Sequence, residues 1–516
     1  MFIHHALLVV NIVVYSSASR PCAQKTYQSS EKNIVCVCNS TYCDDVEPVA
    51  EVPQGKAVLY TSSQSGKRFE KSILPISEGT SSSEVTIEID ARDTYQSIIG
   101  FGGAFTDAAG INLRSLSEET QKNLMESYFG KNGIEYNLAR VPIASTDFST
   151  REYSYADTVG DFDMKTFKLT KEDYQYKIPY ILSAINLTGN NLLLYASPWS
   201  APGWMKTNGQ MKGGGALIGE VNGKYYRSYA NYLIKFFEEY AKNGVPFWGM
   251  TLQNEPTSGA LPFYKWQAML FTASMQRDFV KVTLGPMLKS KNATKDLKVM
   301  ALDDNRISLP GWADTIFNDP DASKYVDGIG VHWYLDALMP ASVLTTTHNR
   351  HPEKFILATE ACAGAFFGHS PILGDWYRAE EYAVNIIEDL NNFVTGWTDW
   401  NICLNEQGGP NWVENFVDSP VIVNATSDQF YKQPMFYAMG HFSKFFKKDS
   451  VRVNTVVTGS SEVLAAAVVY KGRRSVAVLN RMSSSVGVTL NDVTTNHHLH
   501  FTMEPHSIIT VLWNKL

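Results

Sequence analysis

The sequence predicts an α/β fold: a (β/α)8 TIM barrel with a discontinuous β-sandwich domain and a small disulfide-bearing β-sheet unit. Three observations predict it. Apolar strand-like runs alternate with helix-length amphipathic segments through the middle of the chain. Both flanks instead carry short alternating runs between turn residues, as antiparallel sheets do. Four of the six cysteines lie close together near the N-terminus.

Eight strand-like runs define the barrel, which we assign to residues 96–401 with 435–449. Parallel strands joined by helical crossovers close into a barrel when there are eight of them. Helical spacing with charged outer faces begins at residue 117 and recurs at 225–241, and the glycine-rich residues 209–223 predict a mobile loop at the rim. The runs cover residues 98–105, 136–143, 192–196, 247–252, 298–302, 328–332, 355–359 and 396–400.

Neither flank is long enough to form a sandwich alone. We therefore predict that residues 48–95 and 450–516 meet as one β-sandwich, and that residues 19–47 with 402–434 form the small disulfide-bearing unit. The strand-like runs of the sandwich are residues 57–61, 84–89, 463–470, 474–479 and 508–513.

Residues 1–18 predict a secretory signal peptide. Residues 6–15 are apolar apart from Asn11, and Ser16, Ser17 and Ala18 are small residues suited to cleavage. No later run reaches the ~18 apolar residues of a membrane span, so we expect no transmembrane segment. Asn-x-Ser/Thr sequons in a secretory chain predict glycosylation. The sequon asparagines are Asn39, Asn186, Asn292 and Asn424.

The clustered cysteines favour disulfide bonds in an oxidising compartment. They are Cys22, Cys36, Cys38 and Cys43. Four cysteines allow three pairings, and their spacing does not choose between them. A zinc site is the alternative, but this spacing is not the usual one for zinc ligands. We expect neither a metal ion nor another cofactor.

The charge of the chain argues against a nucleic-acid partner. Its 45 Lys and Arg residues and 52 Asp and Glu residues give a formal net charge of −7, and the basic residues are not clustered as phosphate binding requires. Aromatic residues make up 12% of the chain, with 11 tryptophans. Such rings pack well on the C–H faces of sugars, although most of them also serve ordinary cores.

Two glutamates stand at the ends of predicted barrel strands. Glu255 follows the fourth run and Glu360 follows the seventh, so both belong at the rim where TIM barrels carry out chemistry. Retaining hydrolysis of a glycosidic bond needs two facing carboxyls about 5–5.5 Å apart, one protonated and one ionised. The pair predicts a retaining glycosidase, with Glu255 as general acid/base and Glu360 as nucleophile.

Other residues at strand ends fit a sugar pocket. Arg140 lies in the second run, where its charge is placed to keep Glu360 ionised. Asn254 can donate from its amide to a sugar 2-hydroxyl, a contact that strengthens in the transition state. The remaining strand-end residues offer aromatic walls and oriented hydrogen bonds. They are Asp147, Trp199, Tyr334 and Trp400.

The chain resembles glycoside hydrolase family 30 and, within it, the lysosomal glucosylceramidases, through nearly the whole sequence after residue 18. The strings that carry the resemblance are Gly100-Phe101-Gly102-Gly103-Ala104-Phe105-Thr106-Asp107, Arg140-Val141-Pro142, Asn254-Glu255-Pro256, Thr359-Glu360-Ala361-Cys362, Gly396-Trp397-Thr398-Asp399-Trp400-Asn401 and Gly408-Gly409-Pro410-Asn411-Trp412.

The resemblance implies a retaining β-glucosidase that hydrolyses glucosylceramide to glucose and ceramide. Its location would be the lysosomal lumen, reached through the secretory pathway, with secretion as the alternative. Its partners would be glucosylceramide in membranes, a saposin-type activator and anionic lipid. The apolar rim residues 261–266 and 366–369 suit such a lipid-borne aglycone.

The resemblance also implies particular residue pairs and roles. The disulfides would be Cys22–Cys36 and Cys38–Cys43. Tyr264 and Tyr334 would lie near the catalytic carboxyls. The glucose would be surrounded by Asp147, Trp199, Asn254, Trp400 and Asn415.

Two alternatives stay open from the sequence. The alternatives to a glucosylceramidase are a non-catalytic glycan-binding homologue and a retaining hydrolase of another β-linked glycoside. A non-catalytic relative would not need both glutamates and Asn254, so the enzyme is favoured. Preference for glucose depends on the orientation of a single hydroxyl, which the pocket geometry decides.

Overall fold

The computed structural model describes residues 19–27, 32–365 and 371–515. The predicted signal peptide, residues 1–18, and the rim stretch 366–369 lie outside the described residues. In the described ranges, no helix combines the length and the apolar character needed to span a bilayer.

The strands fall into three groups along the chain. Those before the barrel are β1 (Gln24–Thr26), β2 (Ile34–Asn39), β3 (Lys56–Ser63), β4 (Glu70–Pro75), β5 (Ser77–Glu78) and β6 (Val85–Ser97). The barrel strands are β7 (Gly100–Ala104), β8 (Leu138–Ile143), β9 (Leu193–Pro198), β10 (Gly249–Thr251), β11 (Lys298–Asn305), β12 (Gly328–His332), β13 (Phe355–Glu360) and β14 (Val394–Asn401). The later strands are β15 (Leu404–Asn405), β16 (Val421–Asn424), β17 (Gln429–Lys432), β18 (Val451–Thr458), β19 (Val463–Tyr470), β20 (Arg473–Asn480), β21 (Val486–Asp492), β22 (His497–Met503) and β23 (Ser507–Asn514).

The helices lie between and after the barrel strands. They are α1 (Asp107–Arg114), α2 (Glu118–Phe129), α3 (Ile178–Leu187), α4 (Lys224–Lys242), α5 (Ala273–Phe279), α6 (Gly285–Lys289), α7 (Gly311–Phe317), α8 (Pro320–Ser323), α9 (Ser342–Arg350), α10 (Trp376–Asn391) and α11 (Pro434–Ser443). The predicted helix at residue 117 is α2, which begins there because the Ser117 side chain accepts from the Thr120 N–H. The predicted helix 225–241 is α4.

Strands β7–β14 form a closed parallel barrel, and each of the eight predicted runs overlaps one of them. The strands are buried along their length, which is why they read as continuous apolar runs. All eight carboxyl ends meet at one rim, and this rim carries the predicted site residues.

The two flanks meet in a single mixed sheet of ten strands, in the order β4-β3-β23-β20-β19-β18-β6-β21-β22-β5. The flanks are joined by the antiparallel pairings of β3 with β23, β6 with β18 and β5 with β22, and by the parallel pairing of β6 with β21. One buried apolar cluster contains residues of both flanks, among them Leu59, Ile87, Val478 and Val511. The flanks therefore share a core.

A third, five-stranded sheet has the order β1-β2-β17-β16-β15. Its β2 carries cysteines of both disulfides, Cys22–Cys36 and Cys38–Cys43, which is the pairing that the resemblance implies. These bonds leave the four cysteines without thiolates for zinc. The predicted fold class is thus confirmed, while the residue boundaries of the three units stay a prediction.

The four sequon asparagines differ in exposure. Asn186 and Asn292 are exposed. Asn39 and Asn424 are half-buried, and their side-chain oxygens accept from the backbone N–H groups of Thr41 and Ser427. Glycosylation at all four sites stays a prediction, with Asn186 and Asn292 sterically the most open.

Candidate active site

Glu255 and Glu360 face each other at the carboxyl ends of β10 and β13. One oxygen of each carboxylate and a ring nitrogen of His332 all lie within 4.8 Å of one another. Carboxyl pairs about 6.5–9.5 Å apart leave room for a water beside the sugar, whereas closer pairs act by direct attack. The spacing of Glu255 and Glu360 is that of the closer kind.

Glu360 is the more buried of the two glutamates. Its side chain is 8% exposed; it forms an ion pair with Arg140 and accepts a hydrogen bond of 2.9 Å from the Tyr334 hydroxyl. Burial raises the pKa of the Glu360 carboxyl, and the neighbouring charges of His332 and Arg140 act against that rise. Those two cations therefore favour the ionised form of the Glu360 carboxyl.

Glu255 is more open to the pocket, with 17% of its side chain exposed. The Tyr264 hydroxyl donates to its Oε2 at 3.1 Å, and His332 Nδ1 lies 3.4 Å from its Oε1. The backbone has a φ of +40° at Glu255, and its N–H donates to the Asp303 carbonyl at 2.9 Å. A strained conformation held by a neighbouring strand is common where a side chain must be aimed at a ligand.

Asp303, which the sequence analysis did not select, lies beneath both glutamates. Its carboxylate is fully buried. It accepts hydrogen bonds of 2.6–2.9 Å from Arg140, Thr251, Thr359 and His332. Burial raises the pKa of the Asp303 carboxyl, but the charges of Arg140 and His332 outweigh burial and hold that pKa well below its usual range. Asp303 is thus an ionised hub that joins the strands of both glutamates.

His332 is the second residue that the sequence analysis did not select. Burial lowers the pKa of this imidazole, but Glu360, Asp303 and Glu255 outweigh burial and raise it to about 10. His332 is therefore a cation at neutral and acidic pH. Glu255, His332 and Glu360 are also close enough together to surround a metal ion, which would have to displace the proton from His332.

A signal for both residues was present in the sequence. Asp303 and Asp304 directly follow the fifth predicted run, which ended at residue 302, and His332 is the last residue of the sixth. Polar residues at the carboxyl ends of barrel strands indicate a site, and this rule applied to these strands as well.

An aromatic wall lies next to the carboxylates. Trp199 and Trp400 stack with their ring centroids 5.1 Å apart and their planes 20° apart. The Arg140 guanidinium lies 4.8 Å from the Trp199 centroid and 5.4 Å from the Trp400 centroid. Arg140 thus contacts the aromatic wall and also pairs with Glu360 and Asp303, so it fixes the position of the wall relative to these carboxylates.

Asp147 forms a polar end of the pocket. Its Oδ2 accepts hydrogen bonds from the Asn415 amide at 2.9 Å and the Asn411 amide at 3.2 Å. Burial raises the pKa of the Asp147 carboxyl to about 7. Below that pH the side chain can both donate to and accept from hydroxyl groups.

These side chains surround one cavity of about 410 Å³. Leu261, Trp266, Leu335 and Val417 add apolar surface to it. Arg140 lies beneath this cavity rather than in its lining. All the predicted catalytic and substrate-binding residues line it: Glu255, Glu360, Asp147, Trp199, Asn254, Tyr264, Tyr334, Trp400 and Asn415.

Comparison with known proteins supports a sugar-cleaving site. Residues 98–446 match the glycosyl hydrolase family 30 TIM-barrel domain. The chain is 54% identical over 502 residues to putative glucosylceramidase 3 of Caenorhabditis elegans, covering 96% of each chain. It is 44% identical over 506 residues to lysosomal acid glucosylceramidase of Mus musculus, covering 98% of this chain and 97% of that protein.

Solved structures show the same architecture. SrfJ from Salmonella typhimurium superimposes with a TM-score of 0.82 at 27% identity, over 89% of this chain and 100% of that one. The endo-β1,6-glucanase BT3312 superimposes with a TM-score of 0.77 over the same shares of the two chains, and at 24% identity it shows the fold alone.

Proposed function

The chain is a glycoside hydrolase that belongs to family 30, and from that premise we propose that it is a retaining β-glucosidase acting on glucosylceramide. The observation that carries the mechanism is the close approach of Glu255 and Glu360 in unequal surroundings. The choice of lipid is supported by glucosylceramidase relatives at 44–54% identity. The reaction releases glucose and ceramide.

Hydrolysis proceeds in two displacements. In the first, the Glu360 carboxylate attacks the sugar C1 while Glu255 donates its proton to the glycosidic oxygen, so that the C1–O bond breaks and ceramide leaves. In the second, Glu255 takes a proton from water, the water oxygen bonds to C1, and the bond from C1 to Glu360 breaks. Both glutamates return to their starting states.

The surrounding residues orient the sugar. The Asn254 side-chain oxygen accepts from Arg140 at 2.8 Å, which assigns its amide N–H groups to the sugar 2-hydroxyl. Trp199 and Trp400 supply apolar contact to the ring, and Asp147 with Asn415 binds the hydroxyls. Tyr264 and Tyr334 steady Glu255 and Glu360.

The pocket mouth suits a lipid aglycone. Leu261 lines the cavity and is 56% exposed, and the neighbouring Phe263 is 96% exposed. Exposed apolar side chains beside a polar pocket are typical of contact with a membrane or an activator protein. Glucosylceramide in membranes, a saposin-type activator and anionic lipid are therefore the partners we assign.

We assign the protein to the lysosomal lumen, reached through the secretory pathway. Two observations support this. The relative from Mus musculus is named a lysosomal acid glucosylceramidase. The disulfides Cys22–Cys36 and Cys38–Cys43 suit an oxidising compartment on the route there.

The test is release of a fluorescent aglycone from a β-glucoside and a β-galactoside at acidic pH with anionic lipid supplied, followed by glucosylceramide in mixed micelles. We expect turnover of the glucoside and of glucosylceramide, and a loss of at least about a thousandfold in kcat for Glu360→Gln because the nucleophile is gone. Glu119→Gln on the exposed face of α2 is the matched control and should retain activity. Turnover of the galactoside but not of the glucoside would contradict the proposed substrate. Activity of Glu360→Gln would contradict the proposed mechanism.

A further inference from the structure

A second large cavity lies at the opposite end of the barrel from the catalytic rim. Its volume is about 650 Å³. Tyr136 and Asn137, which directly precede β8, and Thr188 and Asn191, which precede β9, line it together with Arg473 at the start of β20. The cavity is therefore a crevice between the amino ends of the barrel strands and the ten-stranded sheet.

Positive charge exceeds negative charge around this crevice. Its basic lining residues are Lys131, Lys447, Lys448 and Arg473, and its acidic ones are Glu135 and Asp449. Both carboxylates already have partners. Glu135 pairs with Lys447 at 2.7 Å and with the buried Lys444 at 3.2 Å, and Asp449 pairs with Lys448 at 2.9 Å. Within the described ranges, neither Lys131 nor Arg473 forms an ion pair, although the charge of the nearby Glu135 acts on Arg473.

Arg473 is an unusual member of this lining. In the described part of the chain its guanidinium has no hydrogen-bond acceptor, and its Nε is buried without a partner. Burial lowers the pKa of Arg473, and the nearby Tyr470 and Glu135 only partly oppose that effect. A buried donor that has lost water and gained no acceptor costs free energy that a bound acceptor would restore. Guanidinium groups match oxyanions such as phosphate in shape and charge.

We propose that this crevice is an anion site, in which Arg473 and Lys131 bind a phosphate group. The phosphate is either free, as inorganic phosphate or a small phosphorylated molecule, or part of a lipid headgroup. Tyr470 lines the same cavity and offers a neutral hydroxyl donor. The site does not depend on the catalytic pocket. Because Arg473 belongs to the ten-stranded sheet and Lys131 to the barrel, a ligand between them stabilises the contact of the two units.

Titration of the full chain with inorganic phosphate, by calorimetry and by thermal unfolding, tests the site, with sodium chloride at equal ionic strength as the screening control. We expect saturable binding and a rise in Tm for the wild type. Arg473→Met and, as an exposed second variant, Lys131→Gln should each weaken binding roughly ten- to hundredfold. Arg481→Met, directly after β20 and outside the cavity lining, should bind as the wild type does.

Vesicles separate the two sources of phosphate. Cosedimentation with phosphatidylglycerol vesicles that depends on Arg473, without affinity for inorganic phosphate, would support the site and assign it to a lipid headgroup. Binding of inorganic phosphate that depends on Arg473, without such cosedimentation, would support it and assign it to a free phosphate. Binding of neither, or equal binding by wild type and Arg473→Met, would overturn the proposal.

Discussion

At the scale of single residues, Arg140 organises the pocket floor. It donates to Ser197 at 3.0 Å, to Asn254 and Asp303 at 2.8 Å each, and to Glu360. Only a guanidinium has donors enough, in a fixed plane, to hold these partners together. The sequence allowed us to predict the pairing with Glu360 from the two strand ends. It did not show that Arg140 also forms an ion pair with a second carboxylate, that of Asp303.

The titration of Asp147 makes the folded protein more stable at acidic pH than at neutral pH. The folded-state pKa of Asp147, about 7, lies above the usual aspartate value of 3.8. The folded protein therefore binds this proton more tightly than the unfolded chain does. The stabilisation is fully present below pH 3.8 and is lost as the pH rises through about 7.

Asp147→Asn removes this titration. Between pH 4 and pH 7 we expect the unfolding free energy of the wild type to fall by roughly 2–4 kcal/mol relative to that of the variant. Urea denaturation at both pH values measures the difference. Asp449→Asn, a charge loss at an exposed position, is the comparison. A difference between wild type and Asp147→Asn that stays constant with pH would contradict the assignment.

At the scale of elements, the glycines of β7 are required by the packing of the barrel. A Cβ at Gly102 would overlap the Leu138 carbonyl oxygen of β8. We expect Gly102→Ala to destabilise the protein by more than about 4 kcal/mol, since neither strand can move without opening the barrel. Thermal unfolding and soluble yield measure the effect.

Gly311 provides the matched control for Gly102. It is the first residue of α7, and a Cβ there would meet no atom within 4 Å. Gly311→Ala should be neutral or should stabilise the protein by up to about 1 kcal/mol. Equal effects of the two substitutions would refute the packing argument.

The barrel strands could be predicted from the sequence, because buried parallel strands are apolar on both faces.

The end of the fifth strand could not be predicted in this way. Its predicted end was residue 302, but β11 continues to Asn305 through a register shift between Leu302 and Asp304. Leu302 and Asp303 adopt φ values of +67° and +61° there. No local sequence signal predicts that conformation, and it is what turns Asp303 toward Arg140 and His332.

The five-stranded sheet was harder to predict in detail. β15, β16 and β17 are each two to four residues long, too short for a periodic pattern. Asn415 is likewise held by a distant contact, since its amide donates to Asp147. The unit was predicted from its clustered cysteines and Asn415 from the resemblance, neither of them from periodicity.

At the scale of the whole molecule, His441 joins the barrel to the ten-stranded sheet. It lies on α11, and its ring nitrogens are 2.8 Å from the Thr510 hydroxyl of β23 and 2.9 Å from the Ser62 hydroxyl of β3. Burial lowers the pKa of His441 to about 3. The folded protein keeps His441 neutral. Its stabilising contribution is therefore present above pH 6.5, the usual pKa of histidine, and is lost as the pH falls toward 3.

His441→Gln should reveal this loss. From pH 7 to pH 5 the wild type should lose roughly 2 kcal/mol relative to the variant, opposite in sign to the effect of Asp147. Calorimetric unfolding at the two pH values tests it. If the wild type instead gains unfolding free energy relative to His441→Gln between pH 7 and pH 5, His441 is charged in the folded state.

The central claim is that Glu360 attacks the sugar directly, so that two inversions retain the configuration at C1. The most direct measurement is the proton NMR spectrum of the glucose first released from a β-glucoside, recorded before mutarotation. We predict that β-glucose appears first and that its α anomer grows in only later. If α-glucose appears first, water attacks in a single displacement and the assignment of Glu360 as the nucleophile is wrong.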